Sequence, residues 1–447
     1  MPALPPSRFG PWISLIVLTG LLATAPLAAE NWPQWRGPNH DGVSPEQNLP
    51  ERWSKTENVQ WRLPMPGPAG STPVVWDGRT FVTSTVDGGD GLAVLAVDRD
   101  GTVAWRQDAG SGSQKVPEQF ALETTLASPS PVTDGEHLWT FFGSTRLSCF
   151  KVADGKQVWQ RDLADSFGAP VTYFGLSSSP LLHDGRLYIQ MLHGEGQKII
   201  ALDAETGRDL WAHDRATDAR AECLHAYTSP TLVGAGADTR LLIHGADYTT
   251  AHALGDGKEI WRHGGLNPED GYNPSFRLVA TPVEVDGLLV VPSAKRGPVY
   301  GLKVAGARGT LTGSRPHTTW KLDRGTPDVP SPVIHDGLVY LSDENGRLTV
   351  IDAASGETVY AERVHQSTHR GSPVLADGKL YLSGTDGTVS VVRAGRSFEV
   401  VAKNALDERL AASPAVSGGA LYLRTYDALY AIRGAEPPKA ETAGGSP

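Results

Sequence analysis

The chain has 447 residues, 50 of them Gly and 33 Pro, with 12 Trp against 3 Met, a mixture that argues against a helical bundle and for many short strands. Its formal charge of −10 repels phosphate backbones and argues against nucleic acid as a partner. With Cys149 and Cys223 as the only cysteines, disulfides can play no more than a minor part in holding the fold.

At the N-terminus Arg8 precedes the run WISLIVLTGLLA at 12–23 and the small-residue stretch APLAAE, the order of a secretory leader. The run is shorter than the about 20 residues that span a bilayer. Cleavage is expected near residue 29, leaving a periplasmic or secreted protein, a monomer with no membrane anchor. No cysteine follows the run to carry a lipid. The next stretch, NWPQWRGPNHDGVSPE at 31–46, places two tryptophans and an arginine among Pro, Gly and Asn, where no regular element can form. Residues 30–57 are read as a clasp beside the closing strand; a ligand platform with Trp32, Trp35 and Arg36 exposed is the second reading.

From residue 72 onward one phrase recurs eight times: Ser/Thr-Pro, a few β-formers, Asp-Gly or a similar turn, then an apolar strand. Its clearest copies are TPVVWDGRTFV at 72–82, SPLLHDGRLY at 179–188, SPVIHDGLVY at 331–340 and SPVLADGKLY at 372–381. The prolines, at 73, 131, 180, 230, 282, 332, 373 and 414, lie 41 to 58 residues apart, the period of a propeller blade. A second phrase follows in each copy, clearest in IIALDAETGRDLW at 199–211: a strand, a Gly-containing turn, and a short strand carrying an aromatic. Each copy therefore encodes four strands, A to D, and the fold class is all-β, an eight-bladed β-propeller of four-stranded antiparallel blades over 58–433.

The eighth copy supplies strands A to C and then enters the polar tail 434–447, which is expected to be disordered. The missing strand D is NVQWRL at 58–63, so an N-terminal strand closes the last blade and leaves no open seam. Trp105, Trp159, Trp211, Trp261 and Trp320, with Tyr360, recur at the matching strand-D position and are expected to fill the space between blades.

These phrases resemble the pyrroloquinoline-quinone-like repeat family of eight-bladed propellers, which includes quinoprotein alcohol dehydrogenases and the propeller lipoprotein of the outer-membrane assembly machine. The lead-in WPQWRGPNHDGVSPE with NVQWRLPMPG looks more specifically like a group of secreted bacterial propellers. The resemblance implies the fold; pyrroloquinoline quinone and calcium are cofactors it allows. No Cys-Cys pair is present, however, and no catalytic Asp or calcium-binding set matches a motif here. A non-catalytic exported binding or scaffolding module is the leading expectation, and a quinone-dependent oxidoreductase the alternative.

In such a meander the B–C turns and the D-to-A crossings share one face, and the long crossings of blades 1 to 5 concentrate the unusual residues there. Glu123, His225, Tyr227, Arg277 and Asp328 stand just before inner strands, and are expected to form a polar funnel over the axis. A small polar molecule, a glycan or a protein is the expected ligand, with loop bracing as the structural reading of the same residues. His244, Asp247 and His252, around the B–C connection of blade 4, are candidates for a metal, because imidazole and carboxylate suit N/O-preferring ions.

Overall fold

A computed structural model describes Met1, residues 31–113 and residues 124–434. Apart from Met1 and Gly434, the expected leader and tail lie outside the described residues, as do Glu30 and Glu123. Among the described residues no helix is long and apolar enough to cross a membrane.

The repeats fold as eight antiparallel four-stranded sheets set in a ring. Blade 1 is Val74–Trp76, Arg79–Val86, Gly91–Val97 and Val103–Ser111, strands A to D. Its A–B turn places Asp77 at φ 50° and Gly78 at φ 78°, two successive left-handed residues that suit a tight hairpin. The Asp-Gly of the repeat phrase is therefore a backbone requirement. In blade 8, Ala415–Ser417, Ala420–Arg424 and Ala428–Arg433 are completed by Val59–Pro64, antiparallel, with Val59 opposite Ile432 and Pro64 opposite Ala428. The last blade is thus closed by the N-terminal strand.

Strand D bulges against strand C in every blade, and in most the aromatic sits at the bulge opposite a small residue: Trp105 opposite Ala96, Trp159 opposite Cys149, Trp211 opposite Ala201, Trp320 opposite Gly301. The bulge sharpens the local twist, and the indole swings onto the next blade. Trp105, Trp159, Trp211 and Trp320 each donate their indole N–H to a carbonyl there: Val152, Ala204, Leu254 and Ala353, at 2.8 to 3.2 Å. The buried apolar clusters accordingly span blade pairs: Val74, Phe81 and Trp105 of blade 1 pack with Leu138 and Phe150 of blade 2.

The Ser/Thr of the repeat phrase builds the axis. The backbone N–H of Thr72 donates to Ser130 Oγ, Ser130 N–H to Ser179 Oγ, and so on through Ser229, Thr281, Ser331 and Ser372 to Ser413, seven bonds of 2.9 to 3.1 Å. Proline follows each hydroxyl residue and has no N–H of its own to place, so a single hydroxyl links each inner strand to the next from blade 1 to blade 8.

The lead-in crosses the axis at the A–B-turn end. Trp32 exchanges two 2.8 Å backbone bonds with Val75 of blade 1, Pro33 O accepts from Thr133 of blade 2, and Val43–Ser44 runs parallel to Leu375–Ala376 of blade 7. Trp32 is fully buried and Arg36 nearly so, which corrects the exposed-platform reading. The segment lies beneath the channel, and so reaches well beyond the seam, because its chain must travel from blade 1 to blade 7 before entering blade 8.

Candidate functional site at the channel mouth

Since the lead-in covers one end, the channel opens on the face of the crossings. A cavity of about 140 Å³ runs from Trp35 past the hydroxyl ring and widens into a mouth of about 180 Å³. Phe174, Tyr227, Arg277, Arg370 and Tyr426 line that mouth. They come from the crossings before blades 3, 4, 5 and 7 and from the B–C turn of blade 8, loops that topology delivers to one face.

Around the mouth runs a chain of alternating charge. Arg277 Nε lies 3.2 Å from Glu222 Oε1 and its Nη1 lies 3.4 Å from Asp328 Oδ1; Lys295 Nζ reaches Asp328 Oδ2 at 3.0 Å and Glu344 Oε1 at 3.2 Å. Burial raises the Glu222 carboxyl above its usual range, with the Arg277 charge opposing. The Arg277 guanidinium also lies 4.9 Å from the Phe174 ring centroid, a cation–π contact. Phe174 in turn stands edge-on to Tyr227 and donates its N–H to the Tyr227 hydroxyl at 3.3 Å. Burial pushes the Tyr227 phenol well up, so it is a neutral donor and acceptor.

Of the residues singled out from sequence, Tyr227 and Arg277 line the mouth and Asp328 stands directly behind Arg277. His225 is placed differently. It is buried under the preceding crossing, edge-on to Tyr173 at 4.8 Å, and burial beside His193 holds its imidazole down at about 4. Glu123 lies outside the described residues. Sequence reasoning passed over Phe174, Glu222, Lys295 and Glu344; Lys295 and Glu344 occupy B–C turns, which topology assigns to this same face.

The three metal candidates do not converge. Strand pairing sets His244 opposite Thr249 and His252 opposite Leu241, so His252 sits at the far end of its strand. Its two ring nitrogens meet Gly257 O at 3.0 Å and Thr250 Oγ1 at 2.8 Å. His244 Nδ1 meets Thr249 Oγ1 at 2.7 Å, and Asp247 accepts from the Tyr272 hydroxyl at 2.6 Å. Among the described residues no three His, Cys, Asp or Glu are grouped as metal ligands.

Nor do the described residues fit an acidic quinone held with calcium. Each of Arg277 and Lys295 already faces two carboxylates, those carboxylates are occupied by the two cations, and the mouth is smaller than the about 300 Å³ at which ligand pockets begin. Cys149 and Cys223 are both free, one in strand C of blade 2 and the other in the crossing before blade 4.

Fold and site together define a closed-ring, eight-bladed propeller with a polar well open on one face. The chain belongs to the quinone-type repeat family whose model is described as outer membrane protein assembly factor BamB, matched over residues 52–169, 115–297 and 236–400. It is 26% identical over 233 residues to BamB of Alkalilimnicola ehrlichii, covering 51% of this chain and 52% of that protein. With BamB of Yersinia pestis it shares 24% identity over 285 residues, 61% of this chain and 64% of that one. The matches thus span between half and two thirds of these relatives' lengths. The solved quinohemoprotein alcohol dehydrogenase from Comamonas testosteroni superposes with a TM-score of 0.64 at 13% identity, over 91% of this chain and 81% of that one, a likeness of fold alone.

Proposed function

We propose that this protein is an exported, non-catalytic propeller that binds or scaffolds a partner through the crossing face around the channel mouth. The observation that carries this reading is the charge chain Glu222–Arg277–Asp328–Lys295–Glu344. Its two cations and three carboxylates alternate and hold a rigid polar rim, with Phe174, Tyr227 and Tyr426 as aromatic anchors between the charges. Rigid aromatics beside fixed charge are what recognition surfaces concentrate. A reacting centre would instead need a poised nucleophile or base. Export is supported by the leader-like residues 12–29, and a partner that is itself a protein by the name of the family to which the chain belongs.

Two assays on the purified protein test this. Dye reduction with alcohols after adding pyrroloquinoline quinone and calcium should stay at background; turnover would establish the oxidoreductase alternative. A thermal-shift ligand and partner screen should give hits on the parent that Arg277→Ala, still melting cooperatively, no longer shows. An Arg277→Ala variant that melts early, with no ligand stabilising the parent, would make these residues loop braces.

A further inference from the structure

The hydroxyl ring carries chemistry of its own. Seven of its hydroxyls, from Ser130 to Ser413, each accept one backbone N–H. A serine or threonine hydroxyl that has accepted a bond still has one O–H to donate. None of these seven donates to a protein acceptor among the described residues, and all of them line the channel cavity. Seven donors therefore converge on one axis, each belonging to a side chain more than nine-tenths buried.

A cation lies directly beneath them. Arg36, 2% exposed, donates from Nη1 to Pro373 O at 2.9 Å and from Nη2 to Pro332 O at 2.6 Å, the carbonyls of the residues that follow Ser372 and Ser331. Its third bond is to the Asp41 carbonyl at 2.6 Å. No carboxylate pairs with it within ion-pair distance among the described residues, and its Nε has no partner. Burial lowers the guanidinium to about 10, the Asp41 charge opposing, so it stays charged at neutral pH. Arg36 and the ring residues Thr281 and Ser331 line one tight crevice. No described Asp or Glu lines the channel or the mouth, and the mouth residue Arg277 is already matched by Glu222 and Asp328.

Convergent O–H donors and a buried guanidinium at the closed end make a field for negative charge. We infer that the central channel binds a tetrahedral oxyanion, sulfate or phosphate, at the level of the hydroxyl ring. A cavity of about 140 Å³ holds such an ion with a few waters, each taking about 30 Å³. The site lies below the proposed docking rim and stands even if that reading fails.

Selenate soaked into crystals of the full chain should give an anomalous peak on the axis level with Ser179, Ser229 and Ser331. A rubidium soak should leave that position empty. Calorimetry at constant ionic strength should show inorganic sulfate or phosphate binding, weakened at least tenfold in Ser179→Ala/Ser229→Ala. Phenyl phosphate compared with inorganic phosphate separates an ester headgroup, which the mouth would have to admit, from a free ion. Selenate absent from the channel, or rubidium in its place, overturns the inference without depending on the variant's fold.

Discussion

Trp61, on the N-terminal strand of blade 8, lies so close over Gly101 in the C–D turn of blade 1 that a Cβ on that glycine would stand 2.6 Å from the indole Cγ. The same indole donates its N–H to Arg99 O at 2.9 Å. The first strand of the propeller, which completes blade 8, thus locks onto the C–D turn of blade 1 and joins the chain's two ends. Equivalent pairs set Trp105 over Gly155, Trp159 over Gly207, Trp211 over Gly257 and Trp320 over Gly356, so the seam is closed by the device that joins ordinary blades.

Gly101→Ala should therefore destabilise the protein by about 2 to 4 kcal/mol, combining a left-handed φ of 88° with a clash against a held indole. Gly88→Ala, at φ 77° with open space around it, should cost only about 1 kcal/mol. Urea unfolding of both variants checks this. Equal losses would mean that Trp61 moves aside freely.

Deleting residues 31–64 removes the closing strand, the Trp32 bridge and the parallel pair at Val43–Ser44. Such a loss exceeds the margin of about 5 to 15 kcal/mol by which domains are stable. The truncated chain should be insoluble or should lack a cooperative melt, and a truncation melting within a few degrees of the parent would refute this closure.

Acid should unfold the protein earlier than its carboxylates alone would. Burial holds His225, His252, His263 and His369 down at about 4 and His244 at about 3, against about 6.5 in an unfolded chain. Between those values the unfolded state binds protons that the native state refuses, so stability present above pH 6.5 is lost as pH falls toward 4. Asp247, raised to about 6 by burial, has the opposite sign: it contributes stability below its unfolded value of about 4 that fades as pH rises through 6. Five histidines outweigh one aspartate. Urea midpoints should fall steadily from pH 7 to pH 5, and His369→Leu, which removes an imidazole with neither nitrogen partnered, should flatten that slope. A slope unchanged in the variant would show that His369 does not titrate in this range.

Much of this architecture could be read before any coordinates. Asp77-Gly78 and its relatives announce hairpins because only certain residues tolerate two left-handed positions in succession, and strand NVQWRL had no other blade to join. The Ser/Thr before each proline was visible only as punctuation. Its role lies between residues about 50 positions apart, such as Ser179 and Ser229, and no local pattern encodes a bond across blades. Replacing Ser229 by Ala should strand the Ser179 N–H and cost about 1 to 3 kcal/mol, a loss measurable by thermal melting and absent if water replaces the hydroxyl.

The site was legible in part for the same reason. Topology placed Tyr227, Arg277 and Asp328 on the crossing face, but it could not show that Arg277 and Asp328 face each other at 3.4 Å. Nor could it show that His225 turns under Tyr173. Position along a strand settles which end of a blade a residue occupies, as it does against His252. Side-chain pairing across crossings depends on loop geometry that composition does not determine.

Site-specific photo-crosslinking in intact source cells can show whether the crossing face holds a partner. A photoreactive residue at Tyr426, on the rim of the mouth, should trap a discrete partner. The adduct should disappear with Arg277→Ala, while the same probe at Leu210, exposed on the outer strand of blade 3, gives no such band. A specific adduct from Leu210 alone, or a Tyr426 adduct indifferent to Arg277, would contradict the crossing face as the binding surface.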